Sequence, residues 1–168
     1  MKALTVQQPW AWAIIHGGKS GENRTQAWSY RGPLAIHAGS RWSDRGATSD
    51  LIIKAAVKAS PGDAYMVERW GVDERFEGYP RGAIIGVVDL VDVHQAIGDD
   101  LAVCCSSPWG ETSYDEHGGR TRRELVHLEL ANRRPLAEPI PCRGALGLWM
   151  PPGDVLDQVL VQLVEATA

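Results

Sequence analysis

Short apolar runs alternate along the chain with polar breaks marked by glycine or proline. Residues 4–6 read as a short strand. Pro9 then stands where a proline opens a helix at its first position, so residues 10–16 are expected to be helical and to stop at Gly17-Gly18. Residues 22–28 mix polarity and read as an extended segment. Tyr30-Arg31-Gly32-Pro33 is a turn signal, and residues 34–38 form the next apolar, strand-like run. Leu51, Ile52, Ala55, Ala56 and Ala59 recur at helical spacing within 44–59, and Ser60-Pro61-Gly62-Asp63 ends that helix. The clearest strand is 82–93, β-branched and long enough to curve round a barrel, with Gly86 allowing a kink or bulge.

The second half is more broken. Residues 97–122 are polar, acidic and glycine-containing, and read as a loop or insertion over the barrel. A strand over 125–130 follows. Pro135, Pro139 and Pro141 make 133–144 an extended connection, and 145–149 a last strand. Asp154 is placed to cap a final helix over 155–165. Strands at moderate spacing with interspersed helices predict an α+β fold built on a mixed barrel. The chain shows no internal repeat and no low-complexity tract.

Composition narrows this picture. The 168 residues, 44% hydrophobic and 23% charged, fit one domain over 1–168 that buries its own core. No apolar run reaches membrane-spanning length, and the start turns polar at Gln7-Gln8 too soon for a secretory signal. Cys104, Cys105 and Cys142 are odd in number, two of them adjacent, which gives neither a disulfide framework nor a zinc-ligand spacing. The expectation is a cytoplasmic monomer with no metal, no cofactor and no membrane contact.

A net charge of −4 speaks against generic nucleic-acid binding, but the charges are segregated. Residues 19–45 hold five Lys/Arg against two acids, and 120–143 hold six Arg against three. Between them, 46–119 hold five basic residues against thirteen acidic ones. If the fold joins the outer segments, they make one basic face; otherwise they are ordinary solvated surface. Tryptophan is over-used, seven against one phenylalanine, supplying stacking faces as well as core volume.

Four pieces of sequence together resemble the ASCH family, a branch of the PUA-like superfamily. They are Val6-Gln7-Gln8-Pro9-Trp10-Ala11 with Gly17-Gly18-Lys19 and Glu22-Asn23-Arg24; Tyr30-Arg31-Gly32-Pro33-Leu34 with Ile36-His37-Ala38; Gly82-Ala83-Ile84-Ile85-Gly86 through Asp89-Leu90-Val91-Asp92; and Arg134-Pro135-Leu136 with 139–144, closing on Gly147-Leu148-Trp149. The short G-x-K-x-x-E-x-R signature is met by Gly17, Lys19, Glu22 and Arg24. Residues near 40–81 and 95–122 fall outside the match and look like variable insertions. The resemblance implies a PUA-like small mixed β-barrel with flanking helices and a cleft beside the first helix. It implies recognition of RNA, or of a nucleotide or modified nucleoside, with DNA as a further partner. It leaves hydrolysis open, because similar proteins include a ribonuclease-like member and an amidohydrolase acting on N-acylated cytidine.

The candidate site follows from the same residues. If 22–28 is extended, Glu22, Arg24 and Gln26 share a face that offers an acceptor, a forked donor and an amide, suited to a base edge or a phosphate. A plain surface ion pair between Glu22 and Arg24 is the bland alternative. For an enzyme, Lys19, Glu22 and Asp89 are the catalytic candidates. The amidohydrolase-like relatives use a Lys, a Thr three residues later and a strand acid. Lys19 and Asp89 match two of these, whereas Glu22 stands at the Thr position, and neither Ser20 nor Thr25 replaces it. Asp89 also reads as a structural partner for Lys19 or Arg24. For binding, Trp10, Lys19, Glu22, Arg24, Trp28 and Arg31 are the candidates. His37 reads as an acid–base group or a satisfied core histidine, and Arg120, Arg122 and Arg123 as phosphate contacts or solvated surface. Trp10, Trp12 and Trp42 could alternatively form a partner-binding patch.

Overall fold

The computed structural model describes residues 1–74, 78–99, 102–111, 113–115 and 122–166, with the side chains of 98–103 and 112–123 left undescribed. Its elements run β1 (Lys2–Gln8), α1 (Trp10–Ile15), β2 (Gly21–Arg24), β3 (Gly32–Trp42), α2 (Asp44–Ala47), α3 (Asp50–Ala59) and α4 (Ala64–Trp70). They continue through β4 (Ala83–Gln95), β5 (Gly98–Asp99), β6 (Ala102–Val103), β7 (Ser113–Asp115), β8 (Arg122–Glu124), β9 (Val126–Pro141), β10 (Leu148–Trp149) and α5 (Gly153–Glu165). A six-stranded mixed sheet in the order β10-β1-β3-β4-β9-β2 dominates. Only β1 and β3 run parallel in it; the other pairs are antiparallel. The fold is α+β, as the sequence predicts.

The sheet curls into a half-barrel. Its two ends, β2 and the β10–β1 edge, are brought together by a side chain: Arg24 Nη2 donates to the Thr5 carbonyl at 2.9 Å. Curvature comes from register shifts along β4, one of them between Ile84 and Gly86. A Cβ at Gly86 would lie 2.6 Å from Ile15 Cδ1, so glycine there also lets α1 press onto the sheet. Leu4, Ile14, Leu34, Ile36, Val88, Leu90 and Leu128 fill the space between α1 and the sheet. On the other face α5 seats Val155 and Val159 against Ala35, Val87 and Ile140. A third cluster joins Trp12 and Ala13 of α1 to Ile52 and Ala56 of α3, Val67 of α4, and Trp109.

Several boundaries differ from expectation. Pro9 is the residue before α1 rather than its first residue, and the buried Gln8 side chain caps the helix by accepting from Trp12 N–H at 2.9 Å. Residues 44–59 split into α2 and α3, because Ser43 caps the first through Gly46 N–H and Ser49 precedes the second. The stop at Ser60–Asp63 is a single 3-10 turn that leads straight into α4, which the polar pattern hides. The connection over 133–144 is strand through Pro141. Its three prolines are tolerated because β2 pairs only with Val126–Glu129, so that stretch of β9 pairs with β4 alone and its other side is an edge that requires no ladder donor. Asp154 lies inside the first turn of α5 without a capping bond; Pro152 stands at the cap position. Among the described residues no helix is long and apolar enough to cross a membrane.

Candidate functional site

Helix α1 ends where Gly18 takes a positive φ of 78°, and Lys19 N–H returns to the Ala13 carbonyl at 2.9 Å. That reversal turns the Lys19 side chain inward, leaving the residue 2% exposed. Its ammonium donates to the Gly21 carbonyl and lies 3.4 Å from Glu22 Oε2. The indoles of Trp10 and Trp109 face it at 5.6 and 5.5 Å. Burial pushes the Lys19 pKa below its ordinary value, and the charge of Glu22 opposes the push.

Strand β2 carries the rest of the motif. Glu22 and Arg24 are two residues apart on a strand and so share a face. The other Glu22 oxygen, Oε1, accepts from Arg24 Nη2 at 3.0 Å, so one buried carboxylate sits between two cations. Glu22 and Thr5 together fix the Arg24 guanidinium, whose buried Nε has no hydrogen-bond partner among the described residues. The strand stops at Arg24, so the exposed Gln26 does not extend this face.

Two cavities meet at this ridge. One, of about 690 Å³, is lined by Trp10, Lys19, Glu22, Arg24, Trp109 and Arg45 among others. A second, of about 830 Å³, shares Trp10, Glu22, Asn23 and Arg24 and extends past His37 to Arg143 and Gly144. Segment 107–111, read from sequence as a loop, forms a wall of the first. Asn23 clips it there, donating to Trp109 O at 2.9 Å and accepting from Glu111 N–H at 3.2 Å, while Ser20 Oγ meets Ser107 Oγ at 3.1 Å. Trp10 and Trp109 meet edge to face with centroids 6.4 Å apart. Arg45 pairs with Glu111 at the rim.

The structure therefore brings Trp10, Lys19, Glu22 and Arg24 together, and it leaves three other candidates elsewhere. Asp89 pairs with Arg134 and accepts from Asn132 Nδ2 at 2.8 Å, and it lines neither cavity. Its ladder partner across β9 is Ala131, away from the β2 end of the sheet. Trp28 packs on the core beside α1, and Arg31 is spent on the Trp28 and Tyr30 carbonyls and on Asp92. His37 is a packed histidine: Nε2 donates to the Cys142 carbonyl at 3.0 Å, its ring meets Trp149 edge-on, and burial lowers its pKa. Trp12 is buried, and Trp42 packs on Tyr79, which makes both core rather than patch. The side chains of Arg120, Arg122 and Arg123 lie outside the described residues. The sequence reading quoted Asn23 within the motif without giving it a role, and it missed Trp109 and Glu111, for which a lone tryptophan inside a polar segment was the available signal.

A model of the ASCH domain family matches residues 4–126. A comparison with curated proteins gives no match. Among solved structures, the chain is similar to the ASCH protein of Zymomonas mobilis, with a TM-score of 0.53 and 13% identity over 95% of this chain and 93% of that one. A variant of the same protein gives a TM-score of 0.52 at 12% identity, covering 95% and 96%. The likeness extends to the curled sheet and its flanking helices, and the family match spans both the Lys19–Arg24 motif and the segment carrying Trp109. The chain belongs to the ASCH domain family.

Proposed function

We propose that the cleft beside α1 binds RNA through a single-stranded or modified base, and that a free nucleotide or nucleoside fits the same place. The observation that carries this reading is Arg24. Its guanidinium is fixed on one side, through Nη2, by Glu22 and Thr5, and the partly exposed side chain lies on the ridge between two cavities. A fork held in this way suits the carbonyl edge of a base or a phosphate, since little side-chain freedom is lost on binding. Trp10 and Trp109 supply apolar ring surface in the first cavity, whose volume lies in the range that holds a nucleotide. Lys19 takes a supporting part: buried and paired, it orients Glu22 rather than meeting phosphate.

Fluorescence anisotropy with labelled single-stranded RNA tests this. Affinity is expected to fall as salt rises, and Trp10→Ala is expected to remove ~1–3 kcal/mol of stacking, roughly 5- to 150-fold in Kd. Arg24→Lys, which keeps the charge but not the fork, is expected to weaken binding as well. Salt-independent binding that neither substitution changes would overturn the proposal.

A second reading has one observation in its favour. A buried lysine with a lowered pKa beside a carboxylate, in a cleft, is an arrangement that acid–base catalysis uses. Hydrolysis of RNA or of an N-acylated cytidine would then rest on Lys19 and Glu22. Incubating the purified chain with each substrate, with Lys19→Met as the contamination control, decides it: no product above that control removes the enzyme reading.

A further inference from the structure

We propose that His94, Cys104, Cys105 and His127 form a tetrahedral site for a divalent ion of the zinc type. The four offer one ligand atom each, all within 4.8 Å of one another. They come from β4, from the segment after β6, and from β9, so adjacent Cys104 and Cys105 show no ligand spacing in the sequence.

The hydrogen bonds around the two imidazoles orient them for a metal. His127 Nε2 lies 2.9 Å from the Glu111 carbonyl, which can only accept, so that nitrogen carries the proton. The Nδ1 lone pair then faces both sulfurs, each at 3.3 Å. On His94, Nδ1 donates to Asp92 Oδ2 at 3.0 Å, with Glu129 Oε1 at 3.6 Å behind it. Its Nε2 is buried and has no hydrogen-bond partner among the described residues. Each ring thus turns one nitrogen to the cluster and gives the other to an acceptor, the arrangement that fixes metal-bound histidines.

Two thiolates and two neutral imidazoles are a donor set for Zn²⁺, whose bonds of about 2.0–2.3 Å place its ligands some 3–4 Å apart. The nitrogen–sulfur distances already fall in that range. The neighbouring loop approaches closely: a Cβ on Gly110 would stand 2.8 Å from the His127 ring. A bound ion would tie the segment that carries Trp109 and Glu111 to the sheet.

The test uses the full chain, reduced and stripped with a chelator, then titrated with Co²⁺ and afterwards Zn²⁺. One cobalt per chain is expected, with the intense visible bands of tetrahedral geometry and a thiolate charge-transfer band that zinc abolishes. Zinc is also expected to shield two of the three cysteines from a thiol reagent, a readout that needs no substitution. Cys104→Ser should remove the tetrahedral spectrum. Asp92→Asn, which leaves the four ligands in place and alters the bond to the His94 nitrogen facing away from the ion as well as the pair with Arg31, should weaken binding by about 10- to 100-fold. Weak octahedral bands, three thiols equally reactive with and without zinc, or cobalt binding undiminished in Cys104→Ser would each overturn the proposal.

Discussion

Glu22→Leu removes the carboxylate that holds two cations and leaves the shape of the cleft wall nearly intact. Lys19 then keeps the Gly21 carbonyl, two indole faces and the more distant charge of Glu111. Breaking a buried pair by deleting one partner costs about 3–5 kcal/mol. An independent bound follows from protonation, because the chain can escape a stranded ammonium by neutralising it. Moving from an ordinary lysine pKa of 10.5 down to pH 7 costs about 4.8 kcal/mol at ~1.4 kcal/mol per unit. The two figures agree, and the indole faces return on the order of 1–2 kcal/mol while the charge persists. A loss of about 3–4 kcal/mol at pH 7 is therefore expected.

The same argument gives a pH signature. With Glu22 gone, the folded chain holds its Lys19 proton less tightly than the unfolded chain does. Between the lowered folded value and 10.5 the unfolded state binds more protons, so the variant gains stability as pH rises through that window. Burial lowers Lys19 in the parent chain too, but Glu22 opposes it there, so the variant's slope is the steeper. Urea unfolding of both chains at pH 7 and near pH 10 measures the difference. The deficit should shrink by up to about 1.4 kcal/mol per unit. Lys19→Met should cost less and lack this slope, because Glu22 keeps Arg24 at 3.0 Å. A Glu22→Leu deficit below about 1 kcal/mol, or one equal at both pH values, would refute the buried-triad account.

Other substitutions follow from the same geometry. Gly86→Ala places a Cβ 2.6 Å from Ile15 Cδ1 and 3.0 Å from the Arg134 carbonyl, an overpacking cost of about 1–3 kcal/mol; thermal unfolding should show it, with partial rescue by Ile15→Val. His37 is held neutral by burial, so the unfolded chain takes up its proton first as pH falls through 6.5; stability should drop across that window and drop less in His37→Gln, with His16 sharing the remainder. Asp89→Asn should leave RNA binding unchanged in the anisotropy assay, since Asp89 lines neither cavity, and should cost at most about 1 kcal/mol as a half-exposed pair.

Local chemistry made much of the fold readable. Gly17-Gly18 after an apolar stretch marks the end of α1, and the β-branched run of β4 marks a strand that crosses the whole sheet. The Lys19–Arg24 half of the site was readable for the same reason, since its side chains meet within six residues. What stayed hidden depends on long closures. Asp89 matches the strand acid of the amidohydrolase-like relatives and reads as a partner for Lys19 or Arg24, but the β4–β9 register sets it beside Arg134. The prolines of β9 suggest a connection until the short reach of β2 exposes that edge.

The polar segment 97–122 shows why reading by composition stops where it does. Low hydrophobicity marks it as loop, yet Trp109 is 8% exposed and forms a wall of the cleft. Beyond the packing of Trp109 in the third core cluster, polar bonds hold residues 107–111 in place. Among these bonds, Asn23 holds both Trp109 and Glu111, and His127 bonds the Glu111 carbonyl while facing the two cysteines. The first attachment belongs to the signature motif and the second to the proposed metal cluster. Ligand binding and metal binding would therefore act on one stretch of backbone. If the cluster is filled, removing the ion should weaken RNA binding without touching any residue of the Lys19–Glu22–Arg24 triad. Unchanged RNA affinity in a fully stripped chain would separate the two sites.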